Sequence, residues 1–172
     1  MSTAPTKLKI RYYGEPVLRK RAGALKSVGE HERSILDQML ELMRLAGGVG
    51  LAAPQVGISR QMLVVDVGEG GVCLVNPRIL KKSGSDVREE GCLSLPGVYI
   101  LVKRAKKILV STINENNERV SFWATDLLAR AIQHEMDHLR GRLIVDYAGL
   151  LQKLKLRKQL SALKKNKDHE LF

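Results

Sequence analysis

The chain has 172 residues, 44% hydrophobic and 27% charged, which is the balance of a folded globular domain. Its formal net charge of +11 predicts an acidic partner or a well-solvated basic surface. No apolar run approaches the roughly 18 residues of a transmembrane helix, and two cysteines are too few for a disulfide framework. The first residues lack an apolar signal core. We therefore predict one domain over residues 1–172, without a membrane partner, in a cytoplasm or, after maturation, in an organelle.

The N-terminal third of the sequence predicts a strand, a helix and a segment of small residues. Alternating apolar residues favour a half-buried strand from Lys7 to Tyr13. Apolar residues at helical spacing predict a helix from Glu30 to Ala46, ended by Gly47-Gly48. The following segment, 48–57, is built of small apolar residues and carries Gln55, a side chain that both donates and accepts hydrogen bonds. A tight turn and a close approach to a ligand explain this segment equally well.

The remaining pattern predicts several strands and then a helix. Residues 61–67 and 72–76 are separated by a glycine-rich turn and predict a hairpin. A second helix is predicted from an acidic N-cap at Asp126 to Gly141. Further strands are predicted at 77–83, 97–102, 106–113 and 119–124, with irregular backbone at 89–97. This order predicts an α+β fold, with antiparallel strands packed around a central helix between an N-terminal and a C-terminal helix.

The second predicted helix carries the motif His-Glu-x-x-His. His134 and His138 are four residues apart and project from one helix face, so both imidazoles can bind one metal ion. Glu135 lies beside the first histidine and can act as a general base on water at that ion. Such a short motif also occurs by chance, as polar residues without chemistry. A catalytic metal site normally has three protein ligands and an open position, so a third ligand must come from elsewhere.

Cys92 is the candidate third ligand. It lies between Gly91 and the Pro96-Gly97 pair, in a segment expected to hold it at a fixed place. A thiolate beside two imidazoles suits zinc or ferrous iron and leaves a fourth position for water. The alternative is a buried thiol that only packs, which is the usual state of a free cysteine and our expectation for Cys73.

Three stretches, Gly48–Gln55, Glu90–Ser94 and Gln133–Leu139, resemble the signature motifs of peptide deformylases in their order and spacing. Residues 14–19 resemble the N-terminal segment of that family, and the resemblance covers about residues 8–150. It implies a metal-dependent hydrolase, not a peptidase, that removes the formyl group from the N-terminal formyl-methionine of newly synthesised polypeptides and releases formate. Formyl-methionyl nascent peptides are then the expected substrates.

The resemblance also implies roles for individual residues. Cys92, His134 and His138 are expected to bind one divalent ion per chain, with Fe²⁺ the usual ion and Zn²⁺ an alternative occupant. Glu135 is expected to move the proton, while the Gln55 amide and the Leu93 backbone N–H stabilise the oxyanion. The expected substrate-binding residues, of which the second and the last are candidates for the methionine pocket, are Gly48, Val49, Gly50, Gly91 and Leu127.

Two positions depart from the pattern of the family. Tyr99 stands where many members carry arginine, and Arg130 stands one turn before His134, where others are apolar. Both bear on the mouth of the pocket and on its tolerance for the second residue of the substrate. Glu90 and Arg104 can pair with each other behind the ligands, with an exposed surface pair as the alternative.

Residues 149–172 form a basic tail, with seven Lys or Arg residues against two acidic residues. We expect this helical tail to contact the ribosome, as C-terminal helices of relatives are thought to do, with a solvated tail as the alternative. Specific DNA binding is not expected. Two groups of leucines lie on nearly opposite helix faces, and we expect the first to pack on the body and the second to serve a partner or mark a bend: Leu150, Leu151 and Leu154, then Leu156, Leu160 and Leu163.

Two other functions remain possible from the residues alone. A zinc endopeptidase would use the same helix and Glu135, but it would leave Cys92 and the small-residue segment unexplained. A basic RNA-binding module with a structural metal would need a fourth protein ligand, because structural sites are closed. The sequence offers no obvious residue for that position.

Overall fold

A computed structural model describes residues 7–114 and 116–165. The helices of this part are α1 (Glu30–Leu45), α2 (Asp126–His138) and α3 (Leu150–Lys165). The strands are β1 (Gly50–Ala52), β2 (Met62–Val65), β3 (Val72–Ser83), β4 (Asp86–Cys92), β5 (Leu95–Arg104), β6 (Lys107–Ile113) and β7 (Arg119–Thr125). Short 3₁₀ helices include Ala53–Val56 and Ile144–Tyr147. The predicted α+β class is confirmed.

The strands are divided between two antiparallel sheets. The larger sheet has the order β1-β2-β3-β6-β7, and the smaller one is the hairpin of β4 and β5. One face of α2 packs on the larger sheet through Ile132, Met136 and Leu139. Another face turns His134 and His138 toward the hairpin. The helix is therefore the central layer to which both sheets are attached.

The prediction of a first strand at Lys7–Tyr13 is wrong. Residues 7–12 have no regular secondary structure, and a turn begins at Tyr13. The Arg11 N–H donates to the Gln55 carbonyl at 2.7 Å, and the Tyr13 N–H donates to the Ser94 carbonyl at 2.9 Å. Because these two acceptors belong to different parts of the fold, the segment bridges them instead of extending either sheet.

The prediction of irregular backbone for residues 89–97 is also wrong. The strand β4 runs to Cys92 and β5 begins at Leu95, so only Leu93 and Ser94 form the turn. The register shifts between Glu90 and Cys92, which is the signature of a β-bulge. The bulge lies at Gly91, the glycine from which irregular backbone was expected.

Two further boundaries differ from prediction. The pieces predicted at 72–76 and 77–83 form the single strand β3, because a register shift after Val75 accommodates Asn76 at a φ of 49°. The N-cap of α2 is Thr125, and Asp126 follows at a φ of 50°. The helix is thus held at its start by the Asp126 N–H, which donates to the Lys106 carbonyl at 2.8 Å.

The packing of α3 is the reverse of the prediction. Leu163 is buried, and Leu156 and Leu160 pack against the core of the β4–β5 hairpin. The other group is exposed, and Leu150 and Leu151 each keep 76% of their surface accessible. Helical spacing predicts that α3 has two leucine faces. Which face is buried depends on the position of the β4–β5 hairpin, against which α3 packs. Residues 166–172 of the predicted tail lie outside the described part.

Candidate active site

Three side chains that could hold a metal ion meet between α2 and the end of β4. Cys92 Sγ lies 3.3 Å from His138 Nε2, which lies 3.3 Å from His134 Nε2. The three ligand atoms all lie within 4.8 Å of one another. Both histidines are buried and Cys92 is half-buried. One sulfur and two nitrogen atoms at this spacing suit a single divalent cation of the zinc or ferrous type.

The two histidines have pKa values shifted in opposite directions. Burial and the neighbouring His134 hold the pKa of His138 well below its usual value, so that imidazole is neutral, as a metal ligand must be. Burial opposes a charge on His134, but hydrogen bonds to Cys92 and Glu90 outweigh it and raise the pKa of this histidine. An ion held by both histidines requires both imidazoles to be neutral, so its binding displaces any proton on His134.

Glu90 orients His134 from behind. Its Oε2 lies 3.0 Å from His134 Nδ1, which leaves Nε2 to face the other two ligand atoms. Arg104 donates to both carboxylate oxygens of Glu90, at 3.0 and 2.9 Å, and Arg130 donates to Oε1 at 2.7 Å. The side chains of Glu90 and Arg104 are each only 5% exposed. The exposed surface pair considered as an alternative is therefore wrong, and Arg130 acts on the ligands through Glu90.

The ionised state of Glu90 is built into this network. Burial opposes its charge, yet the hydrogen bonds from His134 and Arg104 prevail and lower the pKa of Glu90 to about 2. The folded state therefore binds fewer protons than the unfolded state between pH 4.5 and about 2. Stability from this carboxylate is complete above pH 4.5 and is lost as the pH falls through that window.

Glu90→Gln is expected to lower the free energy of unfolding of the metal-free protein at pH 7 by about 3 to 5 kcal/mol, because it leaves buried arginine charge uncompensated. The difference from wild type should shrink as the pH falls from 4.5 toward 2. Urea unfolding across this pH range measures it. Glu89→Gln, at the exposed neighbour on β4, is the matched control and should stay near wild type. Equal stabilities of wild type and Glu90→Gln at pH 7 would contradict the network.

Glu135 is a buried carboxylate beside the ligand cluster. Its side chain lies against β1, and Oε2 has no hydrogen-bond partner among the described residues. Burial is the largest cause that raises the pKa of Glu135, to about 7, against the opposing charge of His134. A carboxyl group with such a pKa can accept and return a proton near neutrality.

Gln55 is fixed in one orientation. Its Oε1 accepts a hydrogen bond from the Ala52 N–H at 2.7 Å, so Nε2 must point the other way. Nε2 lies 3.6 Å from Cys92 Sγ and 3.3 Å from Ser94 Oγ. The amide N–H groups therefore face the ligand cluster. Ser94, whose hydroxyl completes this contact, is not among the predicted site residues.

The ligand cluster lies in a cleft of about 530 Å³ between the two sheets. Val49 and Leu127 line it and remain 43% and 46% exposed, although both are apolar. Tyr99, at the mouth, is 57% exposed and packs over Gly91. The other predicted contact residues also line the cleft: Gly48, Gly50, Gly91 and Leu93. The structure thus brings all predicted site residues together, and each of them lines the cleft except His138, which is buried and meets Cys92 and His134 in the ligand cluster.

Gly50→Ala is expected to lower kcat by about 100-fold, because an added Cβ would lie 2.5 Å from Glu135 Oε1 and 2.9 Å from its Cγ. Displacement of a positioned group by about 1 Å can have an effect of this size. The measurement is deformylation of a formyl-methionyl tripeptide. Gly149→Ala is the control, because nothing lies within 4 Å of its added Cβ. Unchanged activity of Gly50→Ala would show that the position of Glu135 is not critical.

A family model described as polypeptide deformylase matches residues 7–154, which is most of the chain. The chain belongs to the polypeptide deformylase family. Peptide deformylase of Syntrophomonas wolfei is 48% identical over 132 residues, which cover 77% of this chain and 87% of the relative. Peptide deformylase of Halothermothrix orenii is 48% identical over 141 residues, which cover 81% and 92%.

Solved deformylase structures have the same fold. The crystal structure of the Thermotoga maritima enzyme superposes with a TM-score of 0.80 at 44% identity, over 82% of this chain and 97% of that one. The Synechococcus elongatus enzyme in complex with actinonin gives 0.84 at 40% identity, over 94% and 89%. The predicted family and activity are confirmed: the chain is a hydrolase that removes the formyl group from N-terminal formyl-methionine. Within the described residues, no helix is long and apolar enough to cross a membrane.

Proposed function

We propose that Cys92, His134 and His138 bind one catalytic divalent ion, Fe²⁺ in preference to Zn²⁺. The observation that supports a metal site is the mutual approach of Sγ and two Nε2 atoms in a largely buried position. The preference for Fe²⁺ comes from the family resemblance, because this ligand set accepts both ions. A divalent ion bound there would supply Lewis-acid polarisation and lower the pKa of water toward about 7. The remaining steps belong to residues of the chain itself.

Glu135 is the proton-transfer group in this proposal. Its unpaired carboxylate faces the cleft beside the ligand cluster, and its pKa of about 7 suits both directions of transfer. It takes the proton of the attacking water and delivers it to the nitrogen of the departing amine. Formate and a peptide with a free N-terminal amine are the products.

Gln55 and Leu93 stabilise the negative charge that develops on the formyl oxygen. Two contacts support the Gln55 role: the Ala52 N–H holds its oxygen, and its Nε2 faces the cluster. Leu93 lies in the two-residue turn that directly follows Cys92 and lines the same cleft. In this proposal its backbone N–H is the second donor to the oxyanion.

The substrate methionine lies between Val49 and Leu127 in this proposal. Their exposed apolar side chains gain from burial by an apolar partner, at about 25 cal/mol per Å². Gly48, Gly50 and Gly91 line the cleft and are proposed to meet the substrate through their backbone. The space that a Cβ would need at these glycines is taken by Leu93, Glu135 and Tyr99. Tyr99 at the mouth contacts the second residue of the substrate, and Arg130 stays withdrawn because Glu90 and Asp86 bind it.

The proposed chemistry is tested by loading the protein with Fe²⁺ without oxygen and supplying a formyl-methionyl tripeptide. Formate should be released while the peptide bonds stay intact, which separates the activity from that of an endopeptidase. Iron-loaded protein should lose activity in air, because ferrous iron and a thiolate are both oxidisable, whereas zinc-loaded protein should keep its lower activity. Absence of formate from a protein with one iron per chain would refute the proposal.

We also propose that residues 1–172 work as one catalytic domain with a basic tail at about 149–172, in a bacterial-type cytoplasm. Relatives from bacteria support this compartment, and an organellar origin is the alternative suggested by a plant relative that is 35% identical. In this proposal the outer face of α3 contacts the ribosome. Support comes from Lys155, Arg157 and Lys158, which are exposed on that helix.

A charge variant tests the ribosome contact better than a deletion, because removal of residues 155–172 would uncover the hairpin core under Leu163. We expect Lys155→Gln/Arg157→Gln/Lys158→Gln to lower co-sedimentation with ribosomes several-fold and to weaken its salt dependence. The surface control, Lys26→Gln/Arg60→Gln/Arg119→Gln, removes the same charge from exposed positions outside α3. Ribosome binding that is equal in the two variants would end the idea of a docking tail.

A further inference from the structure

A second cleft, of about 370 Å³, lies on the other side of the buried ion network. It shares no lining residue with the active-site cleft. Its rim carries four exposed cations from three segments: Lys82 at the end of β3, Lys103 near the end of β5, and Arg140 and Arg142 after α2. Deformylation uses none of these residues.

The four cations have no acidic partner in the part of the chain that the structure describes. The carboxylate in the lining, Asp137, is only 5% exposed and already accepts hydrogen bonds from Arg104 at 2.5 Å and from Tyr147 at 2.7 Å. Asp137 therefore compensates the charge of the buried Arg104 and not the charges of the four cations at the rim. Uncompensated positive charge around a concave surface concentrates anions there.

The size and the charge of the cleft favour a polyanion over a small ion. One phosphate group carries about −1.5 to −2 at neutral pH, which would leave part of the rim uncompensated and much of the 370 Å³ unfilled. Several successive phosphodiesters would meet cations from all three segments. The rim also has hydroxyl groups at Ser83 and Ser85 and the half-exposed ring of Tyr147. Arg104 lies over one face of this ring, at 5.0 Å from its centroid, so a base could stack only on the other face.

These groups match single-stranded RNA. A groove lined with cations follows the phosphates, hydroxyl groups bind phosphate or sugar oxygens, and an aromatic ring offers a surface on which a base can stack. An acidic peptide would use the cations but neither the hydroxyl groups nor the ring to the same extent. We propose that this second cleft, defined by Lys82, Lys103, Arg140 and Arg142, binds the backbone of single-stranded RNA independently of the deformylase site.

The test is fluorescence anisotropy of a labelled single-stranded RNA of about eight nucleotides, a length within the usual footprint of such grooves. The full-length protein is compared with Lys82→Gln/Lys103→Gln/Arg140→Gln, which takes one cation from each segment, and with the surface control. The cleft variant should bind at least about tenfold more weakly, and the slope of log affinity against log salt should fall by about 2 for three lost contacts. Tripeptide deformylation should stay unchanged, which shows that the variant is folded.

Three outcomes would overturn the proposal. The first is an unchanged affinity in the cleft variant. The second is an equal loss in the surface control, which would mean that the RNA senses only net charge. The third is stronger competition by a polyglutamate peptide than by unlabelled RNA of the same charge, which would assign the cleft to an acidic protein.

Discussion

Replacing Glu135 by glutamine is expected to lower kcat for a formyl-methionyl tripeptide by about 100- to 10,000-fold, the usual contribution of general acid–base catalysis. Glutamine keeps the size of the side chain but cannot take a proton from water at neutral pH. The KM should change little, because Glu135 lies beside the ligand cluster and not among the apolar residues proposed to hold the methionine. Steady-state kinetics on protein of known metal content measures both constants.

The metal content of the Glu135→Gln protein decides how its kinetics are interpreted. One metal per chain with a low kcat is the expected result, because Glu135 is not among the three converging ligands. Glu41→Gln, on the exposed side of α1, is the matched control and should have wild-type kinetics. A Glu135→Gln protein with one metal and full activity would eliminate the proposed proton transfer.

Replacing Cys92 by alanine is expected to lower the affinity for iron or zinc by more than about 100-fold. Loss of a ligand should have a larger effect than the 10- to 100-fold typical of the outer partners of a metal site. Activity should disappear with the metal, because two histidines remain where a catalytic site needs three protein ligands. Metal analysis after dialysis against a weak chelator, together with formate release, measures this change.

Cys73→Ala is the matched control for the Cys92 substitution. Cys73 lies in β3 and packs against the core under α1, so its loss should leave metal content and activity per folded molecule unchanged. If Cys92→Ala retained one tightly bound metal and wild-type turnover, the assignment of the thiolate as a ligand would fail.

More of the candidate site than of the surrounding fold could be predicted from the sequence. The His134 and His138 pair is set by local helical spacing, and Cys92 and Gln55 follow from the deformylase motifs. The role of Arg130 could not be predicted, because its partners Glu90 and Asp86 lie 40 and 44 residues away along the chain. The sequence signal that could have suggested it is an arginine on the apolar side of a helix, which requires a buried anion.

The fold predictions are wrong where tertiary contacts, and not local sequence patterns, determine the structure. The alternation from Lys7 to Tyr13 satisfies the pattern of a strand, yet its hydrogen bonds are divided between Gln55 and Ser94. The two leucine faces of α3 are equivalent by spacing, and the hairpin core selects the face of Leu163. In both cases the missing information is the position of the β4–β5 hairpin, which no local pattern contains.

The proposed metal ligands are divided between the smaller sheet and the helix α2, and this division has a consequence for slow motions of the protein. Cys92 ends β4 of the smaller sheet, whereas both histidines belong to the helix that packs on the larger one. If the proposed ligand set is right, opening of the hairpin away from α2 would break the bond between the bound ion and the Cys92 thiolate. Binding of the ion should slow amide hydrogen exchange across β4 and β5 more than across β6 and β7. The ion would then hold the β4–β5 hairpin against α2 and the larger sheet, in addition to its chemical role.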